Sequence, residues 1–303
     1  MDTPPPRDVH SMPRSASSSP DPVTDPAHFP LSRRSRIGWL VEAIALVVLL
    51  SLHDMLRNAV MGSAFTALHN AKTLTSIERS LGIYHELGVQ RFFIDAGRPF
   101  IGFCNLWFET MHFIVPIVVA VYLYVRFPGR YTRMRNSFLI MLFLTAPLVW
   151  GVFPVTPPKY MPAQYGFVET QVKYWNIFPQ KPIKYGPDGE PTAESVALEG
   201  NLYGGIPSHH LSWALWCVLA LWPVIRRRWV RNLLLLYPLT TLTVVIATGN
   251  HRFIDLAGSL VEVAIAYGLA TLVERALDHR RARRRPNQRA NDTAPAEASE
   301  AIA

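Results

Sequence analysis

The sequence predicts an all-α, polytopic membrane protein with six transmembrane helices. Three observations carry that reading. Half of the 303 residues are hydrophobic and only 17% are charged, which is low for a soluble chain of this size. The apolar residues gather into six stretches, at 37–56, 100–125, 136–155, 209–225, 232–249 and 253–273, most of them near the roughly 20 residues a helix needs to cross a bilayer. Arginines gather at alternate breaks between them. Arg33, Arg34 and Arg36 precede the first stretch, and Arg126, Arg130, Arg133 and Arg135 separate the second from the third. Arg226, Arg227, Arg228 and Arg231 separate the fourth from the fifth, and Arg275, Arg280, Arg281 and Arg283 to Arg285 follow the sixth. With six spans all four clusters fall on one side, which the positive-inside tendency makes cytoplasmic. Both termini then face the cytoplasm of a plasma-membrane protein, and 57–99, 156–208 and 250–252 face outward. Arginine runs also serve as nucleic-acid patches, but spans on either side favour the membrane reading, and no nucleic-acid partner is expected.

The elements follow in order. Residues 1–30 hold eight prolines and many serines with almost no aliphatic side chains. Such a segment cannot bury enough apolar surface to offset its ordering entropy, so it is expected to be disordered. It lacks the basic start and apolar stretch of a secretory signal. The catalytic membrane domain is expected over 31–278. Residues 57–90 read as an amphipathic helix on the outer surface, with Val60, Phe65, Leu68, Leu74 and Ile77 among polar residues. The second span carries Glu109 and His112, three residues apart; ionisable residues inside a membrane are functional candidates. A di-iron bundle would need a second Glu-x-x-His, which the sequence lacks, so the pair is expected to pack the interior or support a site. The polar stretch 163–203 reads as a lid over a headgroup, with Tyr165, Trp175 and Tyr203 as interface anchors, or as a solvated loop. Trp213, Trp216 and Trp222 read as interfacial and packing residues. Cys104 and Cys217 lie in apolar runs and are too few for a disulfide framework or a cysteine zinc site. Residues 279–303, a basic run and a small-residue tail, are expected to be disordered.

The chemistry concentrates in three outward segments, "PPKYMP" at 157–162, "GGIPSHHLSW" at 204–213 and "TGNHRFIDLAGS" at 248–259. They are distant in sequence but share one membrane depth, so a bundle of spans can bring them together. His251 and Asp255 are four residues apart, on one face of a helix. The carboxylate can accept from one imidazole nitrogen and leave the other as nucleophile or base; a structural polar pair capping the sixth span is the alternative. Pro207-Ser208 before an apolar run marks a helix start with Ser208 as N-cap. A histidine in that first turn lies near the positive end of the helix dipole, where a cationic imidazole is disfavoured and a bound phosphate reverses the preference. Lys159 and Arg252 add positive charge. A nucleophilic histidine, a histidine acid and cations together fit phosphoryl transfer through a phosphohistidine. No metal or other cofactor is implied.

"PSHHLSWALW" and, about 40 residues on, "ATGNHRFIDLAG" resemble the paired motifs of the type 2 phosphatidic acid phosphatase superfamily. The closest likeness is the branch of inositol phosphorylceramide synthase-like membrane transferases (inositolphosphotransferases), and the resemblance covers about 100–275. It implies a phosphatidic acid phosphatase-like bundle. It makes His251 the nucleophile, Asp255 its orienting carboxylate and His210 the general acid, with His209 in a variable slot. Because adjacent helical residues point about 100° apart, His209 is expected to face elsewhere, toward the lid or headgroup region. Lys159, Ser208 and Arg252 are the expected substrate contacts. The superfamily's phosphatases carry a Ser-Arg pair upstream of the nucleophile, where this chain has Val244 and Val245; the transferase-like branch also tends to lack it. The family's first motif is not intact at Lys159, and Arg91 with Arg98-Pro99 matches its spacing but precedes the second span. Glu262, seven residues after Asp255, reads as a supporting partner or as facing a wet cavity. The function implied is a membrane lipid phosphotransferase, moving inositol phosphate or a related headgroup from a phospholipid to a hydroxyl acceptor. The alternatives are a lipid or polyprenyl phosphate phosphatase, with water as acceptor, and a non-catalytic membrane protein.

Overall fold

The computed structural model describes residues 36–145, 149–174 and 181–300; the segment 1–30 and Trp175 lie outside them. The described residues are helical, with two isolated bridges and no strands. Helix α1 (Arg36–Ala59) leads through a short turn into α2 (Ala64–Ser80) and α3 (Glu86–Asp95). Next come α4 (Arg98–Arg126), α5 (Pro128–Thr145) and two short helices, α6 (Thr170–Lys173) and α7 (Ala193–Glu199). The chain ends with α8 (His209–Leu221), α9 (Arg228–Leu234), α10 (Leu236–Ala247) and α11 (Asp255–Glu300). Helix α11 continues through the basic run that composition assigns to a disordered tail.

Four helical stretches, Gly38–Ala59, Arg98–Arg126, Arg228–Ala247 (α9 running on into α10) and Asp255–Arg280, are long and apolar enough to cross a membrane, and they make this a membrane protein. They correspond to the first, second, fifth and sixth expected spans. The other two are not full-length apolar helices. Helix α5 opens on "PGRYTRMR", and its basic first turns hold its hydropathy down. Helix α8 has only 13 residues, about 20 Å at 1.5 Å per residue. It is enclosed by α4, α10, α11 and α5 and presents little surface to lipid.

The core lies where α4, α5, α8 and α11 meet, around Leu123, Met134, Leu142, Trp216, Cys217 and Ala266. Trp216 Nε1 donates to Met134 O at 3.0 Å, which satisfies the indole inside the core. Cys104 and Cys217 are both free and buried, as packing residues would be. By contrast, only 6% of the most apolar stretch of α1 is buried. That helix is tied to the bundle near its start by an Arg135–Glu42 ion pair of 2.6 Å and near its end by Asn201 Nδ2 donating to Arg57 O at 2.8 Å.

The 57–90 region folds as two helices joined by a turn at Gly82, not as one. Ser63 caps α2, and Ala67, Ala71, Leu74, Thr75 and Glu78 form its buried stripe. Phe65 and Ile77, expected on the apolar face, are exposed. The buried stripe packs on the segment after α5, where Thr156 N donates to Ala67 O at 3.1 Å and Asn70 Nδ2 to Pro154 O at 2.9 Å.

Candidate active site

Three connections converge at one end of the bundle because their backbones bond to one another. Val155 pairs with Gly204 in an isolated bridge; Val155 N donates to Tyr203 O and Gly205 N to Val155 O. A Cβ on Gly205 would sit 2.7 Å from Val155 O, so a side chain there would force the two segments apart. Helix α10 ends at Gly249 with φ +73°, the left-handed conformation that glycine adopts freely. Gly249 O accepts from Lys159 N at 2.8 Å. "PPKYMP", "GGIPSHH" and "TGNHRFID" are thereby joined.

In the third of these segments His251 Nδ1 lies 2.9 Å from Gly205 O and 3.0 Å from Asp255 Oδ2. Both partners are acceptors, so Nδ1 carries the proton and Nε2 is the unprotonated nitrogen. Asp255 Oδ2 also accepts from Arg252 N at 2.9 Å, which locks the carboxylate beside the ring. His251 lines a cavity of about 1240 Å³, as do Lys159, Asn250 and His210. The His210 ring stacks on Phe108 at 4.0 Å, lies 4.2 Å from the His112 ring and 6.1 Å from His251, centre to centre. His112 Nδ1 donates to Phe108 O at 2.7 Å. Lys159 Nζ donates to Gln171 Oε1 at 3.0 Å, and Asn250 Nδ2 donates to the same oxygen at 3.1 Å. Gln171 comes from α6, so the 163–203 stretch supplies part of the site.

The other two expected substrate contacts lie elsewhere. Ser208 caps α8, its hydroxyl accepting from Leu211 N at 3.4 Å, and it does not line the cavity. The Arg252 guanidinium, 1% exposed, turns away to Thr156 O at 2.9 Å and Met161 Sδ at 3.1 Å. Burial pulls Arg252 below its usual range, and Asp255, Glu78 and Glu86 oppose that shift. Glu78 and Glu86 hold the loop after His251 directly: Glu86 Oε1 accepts from Phe253 N at 3.0 Å and Glu78 Oε1 from Ile254 N at 2.9 Å.

His209, expected to face elsewhere, lines the same cavity. Adjacent helical residues point about 100° apart, and the cavity is wide enough for the two rings to wall different sides of it. His210 faces α4 and His251. His209 faces Trp150 and His53, at ring distances of 4.4 and 5.5 Å, and its Nε2 is 3.2 Å from Glu262 Oε1. The second oxygen of Glu262 accepts from Ser212 Oγ, which makes Glu262 a supporting partner. Sequence reasoning missed His53, Arg57, Lys181 and Asn250, all on the cavity wall. His53 and Asp54 near the end of the first span were the available signal, as ionisable residues in an apolar helix. Among the described residues no three His, Cys, Asp or Glu side chains converge as a metal-binding set.

A family model described as the PAP2 superfamily matches residues 72–269, a range that takes in all three converging segments. Neither the curated proteins nor the solved structures contain a match to the chain.

Proposed function

The chain belongs to the PAP2 superfamily, whose members are phosphatases and phosphotransferases acting on lipid-like phosphates, and from that premise we propose that it is a membrane lipid phosphotransferase working through a phosphohistidine on His251. The observation that carries this reading is the oriented imidazole: Nδ1 is held by Gly205 O and Asp255 Oδ2, and the ring lines a cavity shared with His210. In the first step His251 Nε2 bonds to phosphorus, the bond from phosphorus to the leaving oxygen breaks, and His210 gives that oxygen its proton. In the second step an acceptor hydroxyl gives its proton to His210, its oxygen bonds to phosphorus, and the bond to His251 Nε2 breaks. Lys159 neutralises the phosphoryl oxygens from the cavity wall. Arg252 acts indirectly, by fixing the loop that carries His251, and Ser208 acts by capping the helix that carries His210. The side bearing the site is assigned to the outer face, because the arginine clusters favour a cytoplasmic position for the opposite end.

Transfer is favoured over hydrolysis because Val244 and Val245 stand where the superfamily's phosphatases carry Ser-Arg. The headgroup reading of inositol phosphate or a related group rests on the motif resemblance. The test offers purified protein phosphatidic acid with and without a soluble alcohol. Transfer that needs the alcohol supports the transferase. Phosphate released without it supports the phosphatase. No product from wild type, matching His251→Ala, rejects both.

A further inference from the structure

The His209 side of the cavity holds polar atoms that the phosphoryl chemistry does not use. Among the described residues His53 Nδ1, Trp150 Nε1 and Trp213 Nε1 are buried without a hydrogen-bond partner. All three side chains line the cavity, with exposures of 7%, 5% and 7%. Buried polar atoms in folded proteins are nearly always bonded, so three together at a cavity wall point to a ligand that bonds them. Their rings surround His209, with Trp150 at 4.4 Å, His53 at 5.5 Å and Trp213 at 6.1 Å. His209 Nε2 lies 3.2 Å from Glu262 Oε1 yet is itself among the buried atoms without a hydrogen-bond partner, so this imidazole too has hydrogen-bonding capacity to offer a ligand.

Two indole N–H donors, two imidazoles with unpartnered nitrogens and flat aromatic walls match a neutral group that carries several hydroxyls. The indoles find acceptors in hydroxyl oxygens, the imidazoles pair with hydroxyls as donor or acceptor, and the rings cover the C–H faces. A quaternary ammonium would stack on the same rings but would leave both indole N–H groups unbonded. In-line transfer puts the entering or leaving oxygen beside His210, so the groups around His209 reach a neighbouring hydroxyl, not the reacting one.

We propose that His209, Trp150, Trp213 and His53 form a polyol subsite, with the Glu262 carboxylate beside the His209 ring, that binds a hydroxyl-rich group carried by the donor lipid or by the acceptor. The proposal rests on the phosphotransferase reading above. The test uses the purified full chain in nanodiscs of ether-linked phosphatidylcholine, which carries no polyol and releases no diacylglycerol. A donor arm compares phosphatidylinositol with phosphatidylcholine of the same acyl chains, reading diacylglycerol release. An acceptor arm compares myo-inositol with n-butanol, using labelled phosphatidic acid as donor. The polyol is preferred in one arm by about tenfold in kcat/KM, and that arm identifies its source. There, Trp150→Phe, which removes one N–H and keeps the ring, and Glu262→Gln each raise the polyol KM by about fivefold, with the smaller effect on kcat. Preference for the hydroxyl-poor partner in both arms, or a polyol preference unmoved by both substitutions, overturns the subsite and leaves phosphoryl transfer standing. No turnover in either arm overturns the phosphotransferase reading and the subsite with it.

Discussion

Asp255 Oδ2 holds two hydrogens at once, from His251 Nδ1 at 3.0 Å and from Arg252 N at 2.9 Å. One carboxylate therefore sets both the tautomer of His251 and the shape of the loop beneath it. Asp255→Asn keeps the size but lets the amide nitrogen face His251, which favours the wrong tautomer. Turnover of a lipid phosphate falls by about 10²-fold or more, with little change in KM; wild-type kcat in this variant would show that the pair only caps α11. The i, i+4 spacing of His251 and Asp255 was legible in the sequence because it depends on local helix geometry alone. The partnership of His209 with Glu262 was not. It spans 53 residues and depends on how α8 and α11 pack, and a motif that names a single histidine steers attention away from its neighbour.

At the scale of elements, α2 and α3 grip the loop that carries His251 from outside the bundle. Glu78 and Glu86 each accept one backbone N–H, from Ile254 and Phe253. Burial, and then Glu86 beside it, push the Glu78 carboxyl up to about 8, while the Ile254 N–H and Arg252 pull the other way. The fold thus favours protonated Glu78. A raised carboxyl pKa means that the native state holds a proton the unfolded chain gives up, so the stabilisation is complete below the ordinary carboxyl range and declines as pH rises toward 8. Glu86 and Arg252 face the same pocket, and the net slope includes them. Glu78→Gln mimics the protonated form and still accepts from Ile254 N. Thermal unfolding followed between pH 5 and 8 loses part of its downward slope in this variant, by roughly the contribution of one group; an unchanged slope would mean that Glu78 does not hold the extra proton of the native state. The amphipathic pattern at 57–90 revealed that this region was helical. It did not reveal the acids, because buried glutamates read as surface charges until the loop they bond to is in place.

Over the whole molecule the chain separates a basic end from a histidine-lined cavity end. Near the first, Arg135 pairs with Glu42 and Arg133 with Glu274, and Arg130 donates to Ala220 O and Leu219 O at the C-terminus of α8, where a cation meets the negative end of the helix dipole. Near the other end lie His53, His209, His210 and His251. The all-α membrane class and four of the six expected spans were legible from hydropathy, since long lipid-facing helices must be apolar along their length. The short α8 and the basic-headed α5 escaped that criterion, because packing against other helices relaxes it. The cavity itself was legible only as three segments at one depth; its walls from α1 and from the 163–203 stretch depend on side-chain packing with no sequence period.

The central claim is that phosphorus passes through His251. Purified protein mixed for milliseconds with ³²P-phosphatidic acid, quenched in alkaline detergent and separated by size, tests it directly. Wild type carries an alkali-stable, acid-labile label on the protein that is lost on chasing with an alcohol, and His251→Ala carries none. Label that persists in His251→Ala, or turnover by wild type with no label at any time, would contradict the account.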